Sequence, residues 1–257
     1  MITFGLITNS GHHENSNIER LNKIIDSIEA TGADKYEIII VGDNAEEIDR
    51  KNVHPIAFDD NIKKGWITRK KNIITENAKN DVIVFSHDYI TYDKNWWKGW
   101  MHYGFQDWDL AMNVMINKDG TRFRDWCVFK FDGNQGANGV WANKSGTGEP
   151  YAVSPYIPRY DYKRTDKMYI SGSYWVAKKK VMEEEPLDEQ FVWGQPEDIE
   201  WSDRVLRKYK YIMNPYCAVN LMHQKDNVWS PLIPRHVTAE YIAETHGYYW
   251  DCRKLVD

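Results

Sequence analysis

The hexapeptide Tyr36 to Val41 (YEIIIV) constrains this chain more than any other short run. A strand so nearly apolar along its whole length must be buried on both faces, and such strands belong to parallel sheets covered by helices. The flanking sequence supplies those helices. Residues 2 to 8 read as a β-rich run ending in the turn formers Thr8-Asn9-Ser10-Gly11. Ile18, Leu21, Ile25 and Ile28 then share one face of a helix that stops at Gly32. Beyond Gly42-Asp43-Asn44, the spacing predicts a helix over 68–80 and a buried strand over 81–86. This β-α-β-α-β alternation predicts an α/β fold, a mostly parallel twisted sheet flanked by helices, with three loops opening on one edge. A helix near 96–105 and a strand near 110–116 continue it.

Residues 117–166 differ. They are rich in Gly, Asn, Lys and Asp, with Trp126 and Trp141 interleaved, and carry no helical period. An irregular stretch of that length inside a compact chain reads as a loop region serving a ligand rather than as a separate domain. A strand is predicted over 169–176, followed by a basic helix start at Lys178-Lys179-Lys180 and an acidic run from Glu183 to Asp188. Pro196 at a first helical position, with Glu197 and Asp198 in the first turn, marks another helix start. A strand over 211–221 ends just before His223. The tail from Lys225 holds Trp229, Pro231, Pro234 and Arg235, then a short amphipathic helix near 238–245.

Composition excludes several classes. A net charge of -5 over 257 residues, with no dense basic stripe, argues against a nucleic-acid-coating protein. Three scattered cysteines (Cys127, Cys217, Cys252) suggest neither a disulfide framework nor a zinc knuckle, and Cys127 and Cys217 read as small buried hydrophobes. The adjacent His12 and His13 point apart in a loop and make a poor metal pair. No apolar run approaches about 18 residues and no leader pattern precedes the first strand, so the chain is expected to be soluble and cytoplasmic, without a transmembrane segment. The 12 Trp and 16 Tyr either fill a core or offer flat platforms for sugar rings.

The chemistry concentrates between Lys63 and Ile90, where a Gly and a basic loop precede a helix, a buried strand and then His87-Asp88-Tyr89. Ligands in open α/β sheets bind beyond the carboxyl ends of strands. An Asp there, with basic residues upstream, suits a divalent metal holding a diphosphate, which points to a nucleotide-sugar site.

With those elements placed, the chain resembles the GT-A-fold glycosyltransferases, close to the inverting family-two-like enzymes. Four features carry the resemblance, which is weakest over 117–166: Val41-Gly42-Asp43, the run Gly65 to Phe85, Ile170-Ser171-Gly172-Ser173, and Gln195-Pro196-Glu197-Asp198. The resemblance implies a single domain over 1–257, with a nucleotide-binding half at 1–116 and an acceptor-binding half at 117–257 that ends in a lid. It implies a nucleotide-sugar donor (UDP-sugar favoured, GDP-sugar possible) and a carbohydrate or other hydroxyl acceptor. Thr8, Asn9 and Asp43 would recognise the nucleotide, Lys64, Arg69 and Lys225 the phosphates or base edge, and His87 and Gly172 the donor. Asp198 would be the general base, with Glu197 as its competitor. The family's metal motif is Asp-x-Asp. Here His87 and Tyr89 fall where its two Asp residues align, leaving Asp88 as the carboxylate ligand and His223 as a second ligand. An Asp/His pair favours Mn²⁺ over Mg²⁺. A sugar-1-phosphate nucleotidylyltransferase would show an Arg in the first loop, which TNSGHHENSN lacks. A non-catalytic carbohydrate-binding protein would not need Asp88, Asp198 and His223 to converge.

Overall fold

The computed structural model describes residues 1–9, 16–120, 122–125 and 168–225, together with the backbone of three short strands at 127–128, 140–143 and 150–153. His12, His13, Trp126, Cys252 and the proposed lid with Trp229 and Arg235 lie outside the described residues, as do the side chains of Cys127 and Trp141.

Eight strands form one sheet. In chain order the elements are β1 (Ile2–Ile7), α1 (Asn17–Ala30), β2 (Tyr36–Gly42), β3 (Val53–Ala57), α2 (Ile67–Asn77), β4 (Val82–His87), β5 (Ile90–Tyr92), α3 (Trp96–Tyr103) and β6 (Leu110–Ile116). Then follow β7 (Cys127–Val128), β8 (Val140–Asn143), β9 (Pro150–Val153), β10 (Met168–Tyr169), β11 (Tyr174–Lys178), α4 (Lys179–Glu184), α5 (Glu197–Val205) and β12 (Tyr211–Leu221). The main sheet runs β3-β2-β1-β4-β11-β6-β12-β5. Only β11 and β5 oppose the direction of the other strands. The carboxyl ends of β1, β2 and β4 therefore lie side by side, as the alternation predicts.

β1 sits at the centre of this parallel half and every residue in it is buried. Helix α2 packs so closely over it that a Cβ on Gly5 would lie 2.4 Å from Ile74 Cγ2, so glycine is required by proximity. α1 contributes Leu21, Ile24, Ile25 and Ile28, all fully buried. Among the described residues most tryptophans are core: Trp96, Trp100, Trp175 and Trp201 are fully buried, with Phe4, Tyr92 and Trp96 in edge-to-face and tilted contact. Cys217 is buried, as expected, and its Sγ accepts a hydrogen bond from Asn113 Nδ2.

Several elements differ from the sequence reading, among them β5 and the short strands β7, β8 and β9, which it does not predict, and three others. α2 ends at Asn77, because Ala78 turns extended (ψ 131°), and Asn80 instead bonds Thr3 and Glu37 from outside the helix. The single strand expected over 169–176 is two: the turn at Ser171-Gly172-Ser173 separates β10, in a small sheet with β7, from β11. β3 was not predicted, since its sequence VHPIA has a Pro and a mostly exposed, weakly alternating pattern. As an edge strand pairing only with β2, it tolerates both.

Candidate active site

The carboxyl ends of β1 and β4 are tied together. Asp88 N–H donates to the Ile7 carbonyl at 3.1 Å, which fixes the backbone just past β4 beside the end of β1. The Asp88 carboxylate then accepts, on Oδ2 alone, the Thr8 hydroxyl at 2.7 Å and Arg20 Nη2 at 2.6 Å. Arg20 reaches in from α1 and also donates to the Asn9 carbonyl at 3.0 Å. Both members of the ion pair are almost wholly buried, so it is a rigid part of the floor and not a surface contact.

A cleft of about 210 Å³ opens above, lined by Thr8, Asn9, Lys70, His87, Asp88, Tyr89, Trp193, His223 and Lys225 among others. Sequence reading had proposed Thr8, Asn9, His87, Asp88, His223 and Lys225 for the site, and the fold brings all six together. Asp88 and His223, far apart in sequence, line the same cleft because β5, just past Asp88, pairs with the end of β12 (Ile90 opposite Leu221) and Met222 N–H bonds the Tyr89 carbonyl at 2.9 Å. The His223 ring packs against Tyr89, centroids 4.8 Å apart.

The cleft is cationic. Lys70 Nζ donates to the Thr8 carbonyl and to Asp60, each at 2.7 Å. Lys225 Nζ donates to the Tyr89 hydroxyl at 2.6 Å and lies 3.9 Å from that ring's centroid. Burial brings the Lys225 ammonium down to about 8; neighbouring Arg124 adds to the shift and Asp88 opposes it. Burial also lowers His87 well below the usual imidazole range, reinforced by Lys71 and Lys225, so its ring is neutral near pH 7. Burial raises Asp60 despite Lys70, and the hydrogen-bonded Asp43 beside it raises it further, so Asp43 neighbours Asp60, the partner of Lys70.

Asp88 and His223, which line the same cleft, are the residues that could hold a divalent ion. Both protein hydrogen bonds to Asp88 fall on Oδ2, which leaves Oδ1 for the cleft. Among the described residues no cluster of three or more His, Cys, Asp or Glu converges, so the protein would offer a metal here at most this O/N pair. That set fits an ion whose remaining coordination comes from phosphate oxygens and water, and it suits Mn²⁺ better than Mg²⁺.

The acidic pair lies beneath the turn at Gly172. Asp198 Oδ2 accepts the Gly172 N–H at 2.8 Å and Oδ1 accepts the Ile199 N–H at 2.9 Å. A Cβ at position 172 would lie 2.9 Å from Glu197 Oε1 and 3.0 Å from Asp198 Oδ2, so both carboxylates converge on one spot that only glycine leaves open. Burial raises both acids, Glu197 to about 8, with Asp198 adding to the Glu197 shift and Lys71 opposing it. Pro196 is the residue before the helix rather than its first, and the acids occupy the first turn as predicted.

Four of the proposed nucleotide- and donor-binding residues do not line the cleft: Asp43 and Gly172 lie outside its lining, and Arg69 and Lys64 fall elsewhere. Arg69 does not line the cleft: its guanidinium bonds Glu76 at 2.6 Å and Glu189 at 3.2 Å, because the α2 face that carries it looks away from the sheet edge. Lys64 is exposed on the loop before α2 and is not among the cleft residues; Lys70, one helical turn and more onward, takes that place. Sequence reading passed over Arg20, Lys70, Lys71 and Trp193. The first three were hidden in helices that read as amphipathic, and only the consecutive Lys70-Lys71 run on a largely buried face hinted otherwise. Trp193 is 62 % exposed at the cleft mouth, its N–H bonded to the Gly65 carbonyl at 2.7 Å.

No protein-family model and no curated sequence matches the chain. Solved structures do. S. aureus TarS superposes with a TM-score of 0.56 at 11 % identity, over 95 % of this chain and 39 % of that one. A shorter TarS in complex with UDP-GlcNAc gives 0.56 at 12 % identity, over 95 % and 66 %. GalNAc-T7 with UDP, GalNAc and Mn²⁺ gives 0.54 at 12 % identity, over 97 % and 48 %. The chain thus spans between about two-fifths and two-thirds of the length of these structures. Eight strands in this order, flanked by helices, and superposition on nearly all of the chain mark it as having the GT-A glycosyltransferase fold.

Proposed function

We propose that this protein is a glycosyltransferase that moves a sugar from a nucleotide diphosphate, UDP-sugar in preference to GDP-sugar, to a hydroxyl of a carbohydrate or other acceptor. The observation that carries it is the pairing of a cationic cleft at the ends of β1 and β4 with two buried carboxylates converging under Gly172. The structural neighbours bound to UDP and UDP-GlcNAc support the donor class.

Thr8, Asn9 and Asp43 are the residues for the nucleoside, at the ends of β1 and β2. Lys70 and Lys225 offer charge to the diphosphate, and His87 and Gly172 bound the donor sugar. Mn²⁺ (or Mg²⁺) held by Asp88 and His223 would supply Lewis-acid neutralisation of the leaving diphosphate. Asp198 is the general base. The acceptor oxygen bonds to the sugar's anomeric carbon as its proton passes to the Asp198 carboxylate. The bond from that carbon to the β-phosphate oxygen breaks, and its electron pair leaves on the diphosphate. Attack from the face opposite the leaving group inverts the anomeric configuration. Burial and the neighbouring Asp198 raise Glu197, which makes it the holder of the pair's proton rather than the base in this reading.

A thermal-shift panel of UDP, UDP-sugars, GDP-sugars and CTP, with Mn²⁺ or with EDTA, tests the donor class, since stabilisation follows mass action. A UDP-sugar with Mn²⁺ should raise the melting point most. Donor hydrolysis or transfer should vanish in Asp198→Ala while nucleotide binding stays. An absence of any nucleotide response, or the largest response to CTP, would refute the reading.

A further inference from the structure

Four consecutive polar residues on α2, Arg69 to Asn72, reach four different places. Arg69 goes outward to Glu76 and Glu189, Lys70 into the cleft, and Asn72 to both the N–H and the carbonyl of Leu187. Lys71 goes beneath the donor floor, and none of the chemistry above uses it. Its side chain is 2 % exposed. The ammonium donates to the Gly172 carbonyl at 2.9 Å, lies 4.5 Å from the Trp175 ring centroid, and sits 3.9 Å from Glu197 Oε1. A buried ammonium is costly, and a chain keeps one where its charge is compensated.

We propose that Lys71 is the positioning residue of the acidic pair, its ammonium locking Gly172 above the two carboxylates and holding one negative charge on Asp198 for proton transfer. This rests on the glycosyltransferase reading. The groups facing Lys71 are the Gly172 carbonyl and Trp175 from the turn and strand β11, Glu197 and Asp198 from α5, and His87 from β4. His87 is neutral, and Arg124 acts on Asp198 besides Lys71. Two carboxylates that share one buried cation and crowd the same glycine cannot both be charged cheaply, so the pair retains one proton. That proton belongs on Glu197. Asp198 accepts two backbone N–H bonds that favour its ionised form, one of them from Gly172 across the turn, whereas Glu197 has only its own backbone N–H. Removing the cation leaves the pair buried without compensation, and Asp198 then also takes a proton at neutral pH. The sign follows: a nearby cation lowers a carboxylate's pKa, so its loss moves the acid limb of the rate profile upward.

The test is the pH profile of kcat for donor hydrolysis in wild type, Lys71→Met, Lys71→Gln and Lys71→Arg, beside an infrared titration of buried carboxyl groups without donor. In K71M the acid limb should rise by at least about one pH unit, roughly a tenfold loss of rate at a fixed pH on that limb. UDP affinity should stay within about threefold, because Lys71 does not line the nucleotide cleft. K71R should bring the limb back. K71Q keeps a donor for the Gly172 carbonyl without charge; it should behave as K71M does, and it carries the comparison should K71M not fold. The infrared titration should show one protonated buried carboxyl at pH 7 in wild type, missing in Glu197→Gln, and two in K71Q. An unmoved acid limb in K71Q, or no protonated carboxyl in wild type, overturns the assignment even if UDP binds normally. Failure of every nucleotide to bind wild type overturns the glycosyltransferase reading instead, and the donor-free titration still decides the role of Lys71 in the pair.

Discussion

Arg20→Met isolates the contact on which the cleft floor rests. The guanidinium holds Asp88 Oδ2 at 2.6 Å with side-chain exposures of 5 % and 8 %, so its removal leaves a nearly buried carboxylate whose only remaining bond is the Thr8 hydroxyl. Breaking one partner of a buried pair costs about 3–5 kcal/mol. Against a total stability on the order of 5–15 kcal/mol, that is a large share. In a domain of this size about 1 kcal/mol moves the melting point by roughly 2–4 °C, so R20M should melt about 6–20 °C lower. Part of that loss belongs to the Asn9 carbonyl bond, and a second substitution separates it. Asp88→Asn in the R20M background removes the stranded charge and should recover about 2 kcal/mol or more relative to additivity. Mn²⁺ should stabilise R20M more than wild type, because the Asp88 charge is then no longer neutralised by Arg20. Urea unfolding of the four proteins gives the coupling energy, and a thermal scan with Mn²⁺ gives the rest. A coupling under about 0.5 kcal/mol would refute the view that this pair organises the ends of β1 and β4.

Two further substitutions read the site's supports. Gly172→Ala puts a methyl within 3.0 Å of both acids at a position whose N–H anchors Asp198, so kcat should fall about tenfold or more with UDP affinity unchanged; equal kcat would show that the turn has room to move. Asn72→Ala strips the Leu187 N–H and carbonyl of a double hydrogen bond at 3.0 and 2.9 Å, which should cost about 1–3 kcal/mol in urea unfolding, and a change under about 0.5 kcal/mol would mean that water replaces the amide.

The sheet was legible because its signal is local. An all-apolar strand must be covered, and two of them joined by a helix leave few topologies. Residues at strand ends were legible for the same reason: Thr8, Asp88 and His223 sit where a strand stops, and position alone predicts that they face a ligand. Helix residues were not. Arg69 and Lys70 are neighbours in sequence with near-equal chemistry, yet one meets Glu76 in the open and the other is buried against Thr8 and Asp60. A rotation of about 100° per residue decides between them, and fixing that rotation requires knowing which face packs on β1. Gly5 fixes it, since the methyl it lacks is where Ile74 enters. With Ile74 seated over β1, Lys71, three residues earlier, lies on the neighbouring face toward β11 and Lys70, four residues earlier, lies toward the strand ends. The basic run on α2 is thus decoded by a glycine in a different element. A substitution at Gly5 that tilts the helix should disturb the phosphate lysine and the lysine under the acids together, although it touches neither.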